Sequence, residues 1–428
     1  MLAIDLKEPL TASLPFEQMV SGLISQFKEL WWQSAPGLPA LGPVTSLQEK
    51  KAHEASLVQG LDQLGQALQQ ISLKHPSRAA LQEQLMPLAG KLLKVSFGLE
   101  DRHVAALASY GFAEAGEEFA RQARRFDPDI SAEDIYQAGR NAWSMNLMQY
   151  LLGLPVEVTP AVLAYSLLYP YSDNYLDDPA LPIKEKAAFS HAFERRLAGL
   201  PVPPATPGQQ KIFDLVGMIE GQFDRRLYPQ VYASLMAIFR AQIKSLQLQL
   251  PHASPYEVDV LGLTFEKGGT SVLADGYLVA GSLTPFQREF SFYYGAFTQL
   301  MDDLEDVEQD RRDGILTVFS QTAGHWPLDA LTSRAIVFGN GLLDAMGQFQ
   351  APGLELLEEV MRKCITPLMI DSAARVGHLY SRSYMQELEQ HAPYRFAQLK
   401  QIRRKVSRRF SAEELMETVL LANGRNSP

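Results

Sequence analysis

Two apolar stretches of this chain each run straight into a cluster of carboxylates, and few folds accommodate that twice. The first is PAVLAYSLLYPY followed by SDNYLDDP, which carries Asp173, Asp177 and Asp178. The second is FSFYYGAFTQLM followed by DDLEDVEQD, which carries Asp302, Asp303, Asp306 and Asp310, with Glu305 and Glu308 between them. At about 3.6 residues per turn, Asp173 and Asp177 share a helical face, and Asp302, Asp306 and Asp310 stack at i, i+4, i+8. Like charges at that spacing repel and destabilise a helix. A hard divalent cation with oxygen ligands is their natural neutraliser. Either cluster alone reads as a solvated helix end. Two of them, each on an apolar stem, point to helices that face each other across a cavity and hold metal at its mouth.

The rest of the chain is helical in pattern, and no run of alternating β-branched residues marks a strand. Ser131 and Asp134 open a segment as a capping box, and Thr159 caps another with Pro160 at its first position. Pro170 predicts a kink before Asp173. Gly268 and Gly269 sit in EKGGTSVLADGYLVAG, where each weakens a helix by about 1 kcal/mol and together they predict a break. The fold expected is all-α. Residues 1–125 carry nothing that suggests chemistry and are read as an N-terminal helical extension packing on a catalytic body, residues 126–428. The chain's E-x-x-H, Glu100 to His103, lacks the second copy that a bundle di-iron site needs.

Composition removes several classes of function. A net charge of −10 argues against general nucleic-acid binding. The one cysteine, Cys364, excludes a disulfide framework and reads as a core residue. No apolar run is long enough for a membrane span, and the N-terminus does not read as a signal peptide. These features suggest a soluble, reducing, cytoplasmic setting. The basic run from Arg395 to Arg409 reads first as a solvated helix face; phosphate closure, peripheral contact with an anionic membrane and a homodimer are left open.

The pair DNYLDD and DDLED resembles the two aspartate-rich motifs of class I isoprenoid synthases, the superfamily of terpene synthases, trans-prenyl diphosphate synthases and squalene and phytoene synthases. Gln299, in FTQLMDD, is similar to the lead-in of the second motif, and the resemblance covers roughly residues 135–320. It implies a helical bundle around a deep apolar cavity. It also implies a Mg2+ cluster held by Asp173, Asp177, Asp178, Asp302, Asp303 and Asp306, with Asp173, Asp177, Asp302 and Asp306 as the catalytic carboxylates and a prenyl diphosphate as substrate. Lys267, 35 residues before Asp302, resembles the diphosphate-binding lysine of prenyl synthases, although Gly268 stands where that family has threonine. Arg140 is a second candidate for the diphosphate. Tyr165, Tyr169 and Tyr294, with Gln299, are candidates for the cavity wall, where aromatic faces stabilise a carbocation.

Departures from the family shape the activity expected. The pair Arg195 and Arg196 comes 17 residues after Asp178, too late for the arginines that bind a second diphosphate in elongating enzymes. Position 174 is Asn where the DDxxD string has its second Asp. A terpene synthase that ionises one linear prenyl diphosphate to a hydrocarbon or alcohol is therefore expected. The alternatives are a chain-elongating or head-to-head prenyltransferase and, in other classes, an all-α NTP pyrophosphohydrolase or an inactive isoprenoid-binding protein.

Overall fold

The computed structural model describes residues 16–74, 78–177, 182–249 and 257–409. Among the described residues there are seventeen α-helices, two short 3-10 turns and no strand. The helices are α1 (Phe16–Gln33), α2 (Leu47–Lys74), α3 (Arg78–Phe97), α4 (Asp101–Ser109), α5 (Phe112–Phe126) and α6 (Ala132–Leu151). Then come α7 (Pro160–Asp177), α8 (Ile183–Leu197), α9 (Pro207–Gln222), α10 (Pro229–Ser245), α11 (Val260–Ala280) and α12 (Pro285–Glu305). The last are α13 (Val307–Asp313), α14 (Asp329–Met346), α15 (Leu354–Arg375), α16 (Arg382–His391) and α17 (Phe396–Arg409). The all-α expectation holds.

Two compact units are drawn from interleaved segments. One comprises residues 1–30, 111–300 and 348–352; the other comprises 31–110, 301–347 and 353–428. Two of the boundaries, 30/31 and 300/301, fall inside α1 and α12.

In the first unit, local sequence sets the helix starts. The Ser131 hydroxyl accepts from Asp134 N at 2.9 Å, and the Thr159 hydroxyl accepts from Val162 N at 3.2 Å, as the caps predict. The α7 helix runs through Pro170. At the centre lies α11, packed on α10, α6 and α7. Its Phe265, Leu273, Ala274 and Leu278 are fully buried. A helix apolar all round belongs in a core, and each such large side chain contributes about 1.5–3 kcal/mol by burial. From α1, Phe27 stacks on Phe292 of α12 with ring centres 5.8 Å apart.

The break predicted at Gly268 and Gly269 does not occur, because α11 is continuous through both. The two glycines serve packing instead. A Cβ on Gly295 of α12 would lie 2.0 Å from the Gly268 carbonyl oxygen, and one on Gly268 would lie 2.3 Å from the Gly295 carbonyl. Two backbones approach this closely only where neither carries a side chain.

In the second unit α2 pairs with α3 and α17, and α15 packs on α14, α4, α3 and α16. Arg395 binds Glu54 at 2.6 Å and Arg403 pairs with Asp371, so these two members of the basic run hold α17 and its approach in place. The guanidinium of Arg395 keeps the Glu54 carboxyl below its ordinary range. The buried His103 accepts from Glu100 N through Nδ1 at 2.9 Å and donates through Nε2 to Glu359 at 2.8 Å. That E-x-x-H is therefore a helix cap. Cys364 is half-buried, and burial pushes its thiol up to about 11, which makes it a poor nucleophile.

Candidate active site

The acidic stretch at the end of α12 departs from a single continuous stack. α12 ends at Glu305, and Asp306, with φ −93° and ψ 8°, leaves helical geometry to cap α13. Backbone hydrogen bonds of 2.9 Å from Asp306 N to Asp302 O and from Asp310 N to Asp306 O carry the chain across the bend. Asp302 and Asp306 are exposed, whereas Asp303 is buried at 6% exposure. At the first cluster, Asp173 and Asp177 lie in the last turns of α7. Their side chains, and Asp178 altogether, fall outside the described residues. Among the described residues no three candidate ligands are gathered as a metal site.

Inside the first unit, α6, α7, α11 and α12 bring a polar cluster together in an otherwise apolar core. Its centre is Asp275 of α11, with no exposed surface. The Ser144 hydroxyl donates to it at 2.8 Å and the Asn141 amide at 3.4 Å, both from α6. Asn141 also donates to Ser166 of α7 at 3.3 Å. Burial outweighs these donors and lifts the Asp275 carboxyl to about 7. The Tyr165 phenol of α7 and the Ser271 hydroxyl of α11 interact. Burial raises the phenols of Tyr165 and Tyr294, the latter to about 12, and the Asp275 carboxyl adds to both shifts. Yet both rings are only half-buried by surface area.

The register of these helices is regular. Tyr165 precedes Asp173 by eight residues on α7, and Tyr294 precedes Asp302 by eight on α12. On α11, Lys267, Ser271 and Asp275 follow one another at four-residue steps along one face. Lys267 is half-buried and has no ion-pair partner among the described residues. Gln299 lies on α12 where its Cβ faces Gly268. Tyr169 is 40% exposed and Arg140 is also exposed on α6. A groove in the second unit between α2 and α17 is lined by Glu54, Asp62, Arg395 and Gln398, and its charges are taken up largely by the Glu54–Arg395 pair.

Asp275, Ser144, Asn141 and Ser271 were not singled out by motif. The available signal was a lone aspartate in the apolar run SVLADGYLVAG, which cannot be buried without donors from elsewhere.

No protein-family model matches the chain, and no curated protein does. Among solved structures, a point variant of cucumene synthase aligns over 73% of this chain and 93% of its own, with 11% identity and a TM-score of 0.36.

Proposed function

We propose that this chain is a Mg2+-dependent class I terpene synthase that ionises a linear prenyl diphosphate to a terpene hydrocarbon or alcohol plus diphosphate. The observation that carries this is the shared register. Each carboxylate-bearing helix has a tyrosine two turns before its first aspartate, and both phenols feel the same buried Asp275. Both rings keep part of their surface inside the first unit, as rings on the wall of a substrate cavity would. The tyrosine end of the site, within the first unit, is aromatic and apolar.

The oxygen-only donor set suits Mg2+ better than zinc or iron. Asp173, Asp177 and Asp178 would hold it from one cluster, and Asp302, Asp303 and Asp306 from the other. When bound, the metal neutralises charge on the departing diphosphate. Lys267 binds the diphosphate from α11, with Arg140 as a second cation. The faces of Tyr165 and Tyr294 stabilise the allylic cation and, with the apolar core, exclude water from it. Tyr169 and Gln299 complete the proposed cavity wall. Residues 126–428 form the catalytic body and residues 1–125 a helical extension. Elongation is disfavoured because Arg196 is committed to Glu220 through two hydrogen bonds of 2.7 and 2.6 Å, which takes it away from a second diphosphate.

The test is release of diphosphate from single allylic diphosphates of increasing length, with Mg2+ and with a chelator. Release with Mg2+, its loss on chelation and its loss in Asp173→Ala and Asp302→Ala are expected. Full turnover in metal-free protein, or in both variants, refutes the proposal. Product formed only when isopentenyl diphosphate is added identifies an elongating transferase instead.

A further inference from the structure

The groups around Asp275 do more than solvate a buried acid. Resting on the terpene synthase reading, we infer that Ser144 and Asp275 form a proton-accepting pair at the interior end of the site, which ends the carbocation reaction by deprotonation. Ser144 is half-buried and its hydroxyl is the outer atom of the pair, while Asp275 behind it is sealed, 2.8 Å away. Asn141 fixes the other carboxylate oxygen and is itself held by Ser166. The hydroxyl is thus fixed at the end where Tyr165 and Tyr294 would hold the cation.

The step balances. A C–H bond next to the cationic carbon breaks, and its electron pair forms the C=C bond and cancels the charge. The proton goes to Ser144 Oγ as that oxygen's own proton passes to Asp275 Oδ2. The products are an alkene, a neutral serine and a neutral carboxylic acid. After the product leaves, the proton on Asp275 passes back along the same hydrogen bond as Ser144 gives its own to solvent, which resets the pair. A proton next to a carbocation is acidic enough for a hydroxyl to accept it, and the carboxylate behind spares the serine an oxonium charge in a dry site.

The surroundings give the pair a pH dependence of its own. From α6 it faces only the uncharged Ser144 and Asn141; from α7 it faces the phenol of Tyr165, and from α12 that of Tyr294. On the α10 side, Arg240 and Lys244 are paired with Glu17 and Glu266. No ionised group contributes to the shift of Asp275, whose carboxyl titrates at about 7. The alkene share of the product is therefore expected to rise with pH through that value.

The experiment scores diphosphate release and product composition separately at pH 6 and pH 8, in wild type, Asp275→Asn, Ser144→Ala and Ser144→Thr. Scored per mole of diphosphate released, the terminal alkene falls about tenfold or more in Asp275→Asn and Ser144→Ala in favour of alcohol or earlier-quenched hydrocarbon. The pH step disappears in both, and Ser144→Thr, which keeps the hydroxyl, restores it. Unchanged product composition and an unchanged pH step in both variants reduce the pair to a structural tie between α6 and α11. If wild type releases diphosphate from no allylic substrate, the terpene synthase reading fails and takes this inference with it; that outcome is distinct because release is scored on its own.

Discussion

Gly295→Ala isolates the contact that sets the spacing of α11 and α12. The new methyl would lie 2.0 Å from the Gly268 carbonyl oxygen, 2.7 Å from its carbon and 3.0 Å from the Gly269 Cα. Ordinary contact needs about 3.5–4.0 Å between carbons, and all three obstacles are backbone, so no rotamer change relieves the overlap. The helices must part by about 1 Å or more, and overpacking of that kind costs up to about 3 kcal/mol, occasionally more. Alanine returns about 1 kcal/mol through helix propensity. A net loss of about 2 kcal/mol follows, or about 4–8 °C in thermal midpoint at 2–4 °C per kcal/mol. The matched control is Gly139→Ala in α6, where a Cβ meets nothing within 4 Å. There the same change should raise the midpoint by about 2–4 °C. Thermal unfolding followed by circular dichroism reads both signs. A Gly295→Ala protein as stable as wild type would show that the crossing is not this tight.

Asp275 gives a second stability prediction. Its folded-state value of about 7 lies above the ordinary 3.8, so between those limits the folded chain keeps a proton that the unfolded chain has lost, and stability falls as pH rises. Over the three or so units involved this amounts to at most about 4 kcal/mol. Asp275→Asn should therefore gain stability over wild type as pH goes from 4 to 8, in urea midpoints; a constant difference would mean the carboxyl does not titrate in that range. Replacing Lys267 with Met should raise KM about 10-fold or more, the worth of one charged hydrogen bond, and weaken the affinity for inorganic diphosphate in step. Unchanged diphosphate affinity would remove Lys267 from the anion site.

Helix starts and the apolar stems were legible in the sequence because their causes are local. Ser131 and Thr159 cap where a short polar side chain precedes a periodic apolar run, and α7 and α12 end in carboxylates as their sequences read. What escaped was non-local. Gly268 and Gly269 look like helix breakers until Gly295, more than twenty residues on, is known to lie against them. Asp275 looks like an isolated acid until Ser144 and Asn141, over 130 residues earlier, donate to it. The change from α12 to α13 at Asp306 is a local backbone departure, φ −93° and ψ 8°, which periodicity alone does not report.

The interleaving of the two units bears on how the chain is made. Phe27 of α1 packs its ring on Phe292, 265 residues later, and on the neighbouring Tyr293. At about 5–20 residues per second of synthesis, the inner face of α1, with Leu23 and Phe27, waits on the order of tens of seconds for its cover. Residues 31–110 likewise wait for segments from 301 onward. Neither unit can be produced as an uninterrupted fragment. During translation, the nascent N-terminal helices therefore present sticky surface over the same interval, and the chain depends on chaperone shelter or slow aggregation until its last third has emerged.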